Sequence, residues 1–171
     1  TLIGAVTINS GGAFTVGATG SIEFRGGLTS NSSSTITIAA PATFTTNDQS
    51  LAGTGSITFS STVGIASGKT LTNSNTGTVT ITGTLTLTGN WAQGTTTNTL
   101  ALGSTTPIDG AGTFSASGIN NTVNYTRYDP QTVKDPNAGT LHTYYNLGLS
   151  GSGAKTMTGI TTVSGNFTMS G

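Results

Sequence analysis

The chain has 171 residues, 33% of them hydrophobic and 6% charged, where globular proteins average about 45–50% and about 25%, so one thick apolar core is excluded. Five basic and five acidic side chains balance to zero, leaving no electrostatic footprint for nucleic acid. The absence of Cys excludes a disulfide framework, a thiolate metal site and a Cys nucleophile, and no run of about 18 apolar residues is present to span a membrane as a helix.

Thr, Gly, Ser and Asn together make up 97 of the 171 residues, a composition that by itself suits a low-complexity, disordered segment. The order of the apolar residues points the other way. Apolar-x-apolar triplets begin at Phe14, Ile36, Ile57, Val79, Leu100, Val123, Leu147 and Phe167, spaced 20 to 24 residues apart. Their second apolar members are Val16, Ile38, Phe59, Ile81, Leu102, Tyr125, Leu149 and Met169. This is the alternation of a strand with one buried face, repeated at a fixed period. A second ladder follows each triplet, through Ile22, Phe44, Ile65, Leu87, Ile108, Val133 and Met157; a third runs through Leu28, Leu51, Leu71, Trp91, Phe114, Leu141 and Val163.

Three inward stripes per repeat of about 22 residues predict an all-β, three-sided parallel β-solenoid, a β-helix. It is expected to be right-handed, by the general preference of parallel crossovers. Gly-rich connectors such as Gly26-Gly27, Gly53 to Gly55, Gly110 to Gly112 and Gly151 to Gly153 fall between the ladders, where corners need positive φ or close approach of neighbouring turns. No segment has apolar residues at helical spacing. At about 4.8 Å per stacked strand, the seven rises from Phe14 to Phe167 predict a rod of about 34 Å. The whole of 1–171 reads as one solenoid segment. Because the ladder still runs at Phe167 and Met169, an exposed strand edge is expected, and with it continuation of the parent chain or end-to-end docking of another subunit. Thr1 reads as a processed or fragment end.

One turn is irregular, 125–147. It holds Arg127, Tyr128, Asp129, Lys134, Asp135 and His142, and all four Tyr of the chain, Tyr144 and Tyr145 among them. A carbohydrate-active β-helix would place paired carboxylates, or a carboxylate with a base, on such an outer face, which makes Asp129, Asp135 and His142 the candidates. The plainer reading is an insertion with Asp-Pro turns and Tyr rings packed on the rod. No catalytic residue is assigned. Arg127, Tyr128, Asp129, Asp135, His142 and Tyr144 are taken as a candidate surface contact. Asp135-x-Asn137-x-Gly139 resembles the opening of an oxygen-ligand calcium loop but lacks the downstream Glu, and His142 has no His or Cys partner for zinc. No cofactor or metal is expected. Glu23 and Arg25, two residues apart, are expected to pair across one outer face.

Thr15, Thr37, Thr58, Thr80 and Thr168 occupy the centre of the first-ladder triplets, and Thr alternates with apolar residues from Thr78 to Thr88. Such rows resemble the hydroxyl and methyl grids of ice-binding β-solenoids. Thr is equally the ordinary solvent-facing strand residue, and Ala101, Asn124 and Gly148 interrupt the row. Finally, Tyr144-Tyr145-Asn146-Leu147-Gly148-Leu149-Ser150-Gly151-Ser152-Gly153-Ala154-Lys155-Thr156-Met157-Thr158-Gly159, followed by 162–169, resembles a repeat of very large bacterial surface proteins. The chain at large is similar to the β-helical passenger regions of autotransporter and filamentous-haemagglutinin-type adhesins. The resemblance implies export, a rod-like stalk, and adhesion or matrix building at the cell surface. Partners are then further solenoid segments stacked end to end and, as a candidate, surface carbohydrate.

Overall fold

The computed structural model describes residues 1–159 and 161–171. Its strands are two to five residues long, and every pairing among the described residues is parallel. No helix occurs among them. Successive strands are too short to bury anything alone. Each gains its hydrogen bonds and its apolar contacts from the strand one turn above and one turn below, and the result is a three-sided solenoid of about 22 residues per turn.

The first face is an eight-stranded sheet running from Thr15–Val16 through Ile36–Ile38, Ile57–Phe59, Thr78–Ile81, Asn98–Leu102, Asn121–Tyr125 and Asn146–Ser150 to Phe167–Ser170. Its register joins Ile36 to Ile57, Ile57 to Val79, Val79 to Leu100, Leu100 to Val123, Val123 to Leu147 and Leu147 to Phe167. This is the first ladder read from the sequence, rung for rung. The second face carries the strands Ile22–Phe24, Ala42–Phe44, Val63–Ile65, Leu85–Leu87 and Ile108–Asp109. The third carries Val6–Ile8, Leu28–Ser30, Gln49–Gly53, Thr70–Asn73, Asn90–Gln93 and Phe114–Ser115. After the irregular turn, two short ladders follow in the same chain order, Gln131–Val133 with Lys155–Met157 and Thr143–Tyr144 with Thr162–Val163.

The second and third ladders exist as faces, but their columns differ from the expected ones. Phe24, and not Ile22, stacks on Phe44, with ring centroids 5.2 Å apart; Ile22 stands over Ala42, and Ile108 over Leu85 rather than Leu87. Each error is two residues. A two-residue slip keeps a side chain on its face, so alternation alone cannot decide between neighbouring inward positions. On the third face the columns are mixed. Leu28 and Leu51 share one column, which continues into Asn73 and then Gln93, whereas Leu71, Trp91 and Phe114 share the other, which starts at Gln49.

Inward amides therefore do part of the work of a core. Gln49, Asn73, Asn75, Gln93, Asn98, Asn121 and Gln131 are all buried. Gln93 Oε1 accepts from both the Trp91 indole N–H and the Asn73 amide, each at 3.0 Å, while Gln93 Nε2 donates to Asn98 Oδ1 at 2.8 Å. Buried amides that satisfy one another avoid the desolvation cost of unpaired polar groups and pin one register. Corners are tight: Gly53 sits at φ +98°, and a Cβ there would lie 2.0 Å from the Ser30 carbonyl oxygen of the preceding turn, so both backbone and space require glycine.

Candidate functional site

The irregular turn is organised around two tyrosines. Tyr125 ends the strand Asn121–Tyr125 and points inward because Leu102 and Leu149 occupy the same column in the turns on either side. Tyr144 enters the cross-section from the third side, bridging Ala116 on one side and Val163 on the other. Both are fully buried. The Tyr144 hydroxyl donates to the Lys134 carbonyl, and the Lys134 N–H donates to the Tyr125 hydroxyl at 3.1 Å. The Tyr125 proton therefore lies between the two hydroxyls, 2.7 Å apart. Burial pushes both phenols' pKa values upward, and for Tyr144 the neighbouring Tyr125 and Asp135 add to the shift.

This corrects two expectations. Tyr144 is not a surface contact, since nothing of it reaches solvent. Leu141, expected in the third ladder, is 74% exposed. The long loop before Tyr144 lets the chain re-enter the rod three residues later than the repeat predicts, and a larger ring fills the space.

The remaining candidates form two separate groups. Arg127 Nη2 binds Asp129 Oδ2 at 2.8 Å. The backbone beneath them is braced: Arg127 N–H donates to Gln131 Oε1 at 3.2 Å, and Gln131 Nε2 donates to the Leu102 and Ser104 carbonyls at 2.8 and 2.9 Å. Lys155 Nζ donates to the Arg127 carbonyl and, at 3.1 Å, to Gln131 Oε1. Burial, and then the nearby Arg127 charge, lowers the Lys155 pKa. Tyr128 projects from this braced turn and is 79% exposed.

The second group is Asp135 and His142, with Oδ2 and Nδ1 2.7 Å apart. They line an open groove of about 440 Å³ together with Thr140, Leu141 and Thr162. His142 holds a left-handed backbone, φ 47°, which is uncommon for a residue with a Cβ. Asp129 is absent from this groove; its side chain is 71% exposed and paired with Arg127. Of the three candidates for a carbohydrate-active site, Asp135 and His142 are thus brought together and Asp129 is held apart from them. Asn137 is a strut, its Oδ1 accepting from Phe114 N–H at 2.7 Å and its Nδ2 donating to the Gly112 carbonyl at 3.1 Å. Both amide atoms thus tie the loop to the preceding turn. Among the described residues no cluster of three or more His, Asp, Glu or Cys could hold a metal.

Elsewhere the surface is quiet. Arg25 Nε binds Glu23 Oε1 at 2.9 Å, as their spacing predicts. Thr15, Thr37, Thr58 and Thr80 form one unbroken outward column on the first face. Where Ala101 interrupts it, the column beside it continues through Thr78, Thr99 and Thr122. The inward amides are the feature that hydropathy could not reveal, although their positions, in phase with the apolar residues, were a usable signal. No protein-family model, no curated protein and no solved structure matches this chain.

Proposed function

We propose that the chain is a structural or adhesive rod of an extracellular β-solenoid, from a bacterial surface protein or filament, that stacks end to end. The observation that carries this reading is the first face, whose inward columns keep one register through eight parallel strands up to the rung of Phe167 and Met169. Met157, Phe167 and Met169 are 42, 50 and 70% exposed. Each stands in register over a residue that is buried, Val133, Leu147 and Leu149 respectively. A parallel strand laid on this rung would extend inward columns that already exist, and strand addition supplies backbone hydrogen bonds as well. Heterologous contacts of this kind generate open filaments and not closed rings. The resemblance of 144–159 to repeats of large bacterial surface proteins, the neutral surface and the absence of Cys support an exported stalk. Sedimentation velocity over a range of protein concentrations tests the stacking. Concentration-dependent elongated species that vanish in Met169→Lys are expected; a monodisperse monomer at all concentrations would contradict it.

A second reading, ice binding, is favoured by one observation, the two adjacent Thr columns on the first face. It predicts thermal hysteresis at millimolar protein that Thr58→Lys abolishes. No hysteresis at that concentration eliminates it.

A further inference from the structure

His142 is the only histidine of the sequence, and its ring is held in one orientation. Nδ1 lies 2.7 Å from Asp135 Oδ2, the separation of a charge-assisted hydrogen bond. The backbone beneath the ring sits at φ 47°, and the His142 carbonyl accepts the Thr162 N–H at 3.0 Å. Asp135 is confined from the other side by Gly159 of the next turn, where a Cβ would lie 2.4 Å from Asp135 Oδ2. A partly exposed ion pair contributes little to folding, and a left-handed backbone at a residue with a Cβ persists only where its surroundings enforce it. Stability alone therefore gives little reason for the arrangement.

The pair sits in the open groove of about 440 Å³ that Thr140, Leu141 and Thr162 complete. This groove opens on the side of the rod. Tyr144, two residues from His142, has Ala116 in the turn before it and Val163 in the turn after it, so the groove does not rest on the rung of Phe167 and Met169. With the Nδ1 proton given to Asp135, the lone pair of the neutral imidazole is on Nε2. One carboxylate behind one imidazole is the base half of an acyl-transfer site. Glycoside cleavage would need a second carboxyl group in the groove, and Asp129 is paired with Arg127 elsewhere. The Asp135 carboxylate disfavours an anionic substrate, and among the described residues no Lys or Arg lines the groove to offset it.

We propose that Asp135 and His142 form a dyad that hydrolyses small uncharged esters. His142 Nε2 takes a proton from water as the water oxygen bonds to the acyl carbon, and Asp135 holds the ring and stabilises the imidazolium. The Thr140 and Thr162 hydroxyls are the groove's donors to the acyl oxygen as it becomes negative. The bond from the acyl carbon to the alcohol oxygen then breaks, and the imidazolium returns its proton to that oxygen. One ester and one water give one acid and one alcohol. His142 is the catalytic residue and Asp135 a positioning residue. The chemistry does not require end-to-end stacking, so sedimentation and hydrolysis can fail separately.

The test is hydrolysis by the intact protein of p-nitrophenyl acetate and p-nitrophenyl butyrate, with p-nitrophenyl phosphate and p-nitrophenyl glucoside as controls. Hydrolysis of at least one ester should saturate with its concentration and fall about tenfold or more in His142→Gln. The parent's rate should rise with pH through one deprotonation that His142→Gln removes. Asp135→Ala should also lower the rate about tenfold or more. Because the chain has one histidine, its imidazole ¹⁵N resonances report the tautomer directly. The neutral ring should carry its proton on Nδ1 in the parent and shift it to Nε2 in Asp135→Ala. Both side chains are partly exposed, so both variants should keep the parent's circular dichroism. The proposal is overturned if ester hydrolysis does not saturate, if His142→Gln is as active as the parent, or if Asp135→Ala keeps both rate and tautomer. It is equally overturned if the parent ring carries its proton on Nε2, or if only the phosphate or the glucoside is cleaved.

Discussion

The hydroxyls of Tyr125 and Tyr144, 19 positions apart in the chain, meet at 2.7 Å inside the rod. Together with the Lys134 peptide they close a circuit in which every proton has an acceptor. That circuit holds the one turn whose loops depart from the repeat. Tyr144→Phe leaves the Lys134 carbonyl unpaired in the interior and is expected to cost about 1–3 kcal/mol. Tyr144→Ala, which also removes the ring packed 6.2 Å from Phe114, should cost about 3–5 kcal/mol. Urea unfolding with an unchanged m-value measures both, and a Phe variant as stable as the parent would contradict the circuit.

The same pair sets an alkaline limit. Burial raises both folded-state pKa values above the unfolded phenol value of about 10. Stability from the protonated pair is therefore fully present below about pH 10 and is lost as pH rises from there through the folded values. Circular dichroism should fall above about pH 10 together with the rise of buried-tyrosinate absorbance. The Tyr125→Phe/Tyr144→Phe double variant should show a shallower decline from its lower starting stability. Equal pH slopes would contradict this.

At the other end of the pH scale, Glu23 is held at a pKa of about 2, first by its hydrogen bond with Arg25 and then by the Thr45 and Thr1 hydroxyls. The folded value lies below the unfolded carboxylate value of about 4.3, so the contribution is present above that value and is lost as pH falls toward about 2. Melting temperatures measured from about pH 5 down to about pH 2 should fall less steeply in Glu23→Gln than in the parent. Parallel curves would show that this exposed cluster does not couple to folding.

Gln93 sits at the centre of the amide network, bonded to Trp91, Asn73 and Asn98. Gln93→Leu nearly preserves volume but takes away the partner of the Trp91 indole N–H, of Asn73 Nδ2 and of Asn98 Oδ1, and should cost at least about 2 kcal/mol in chemical unfolding. A neutral or stabilising result would mean that the inward amides are tolerated rather than required.

How much of this was legible in advance follows from the side chains themselves. The first ladder reads directly from the sequence because each of its inward positions, from Phe14 to Phe167, is occupied by an apolar residue. The other faces read as faces but not as columns. Gln49, Asn73 and Gln93 point inward there, and a search for apolar residues steps past them to the next Leu or Trp two positions away. Leu141 was placed inside and Tyr144 outside because a loop of irregular length breaks the count between them; only the Tyr125 hydroxyl and the Lys134 peptide explain why the Tyr ring wins. Of the candidate contact residues, Arg127, Tyr128 and Asp129 stand together on one braced turn, while Asp135 and His142 line a different groove.

The stacking itself can be measured with a molecular ruler. The chain has no Cys, so spin labels can be placed at will on the outward column of the first face, one at Thr168→Cys and the other at Thr15→Cys, Thr37→Cys, Thr58→Cys or Thr80→Cys in turn. Pulsed dipolar spectroscopy should give distances near ~34, ~29, ~24 and ~19 Å, falling by one rung of about 4.8 Å at each step. Distances that do not shorten by a constant rung as the label moves about 22 residues along the chain would contradict the solenoid.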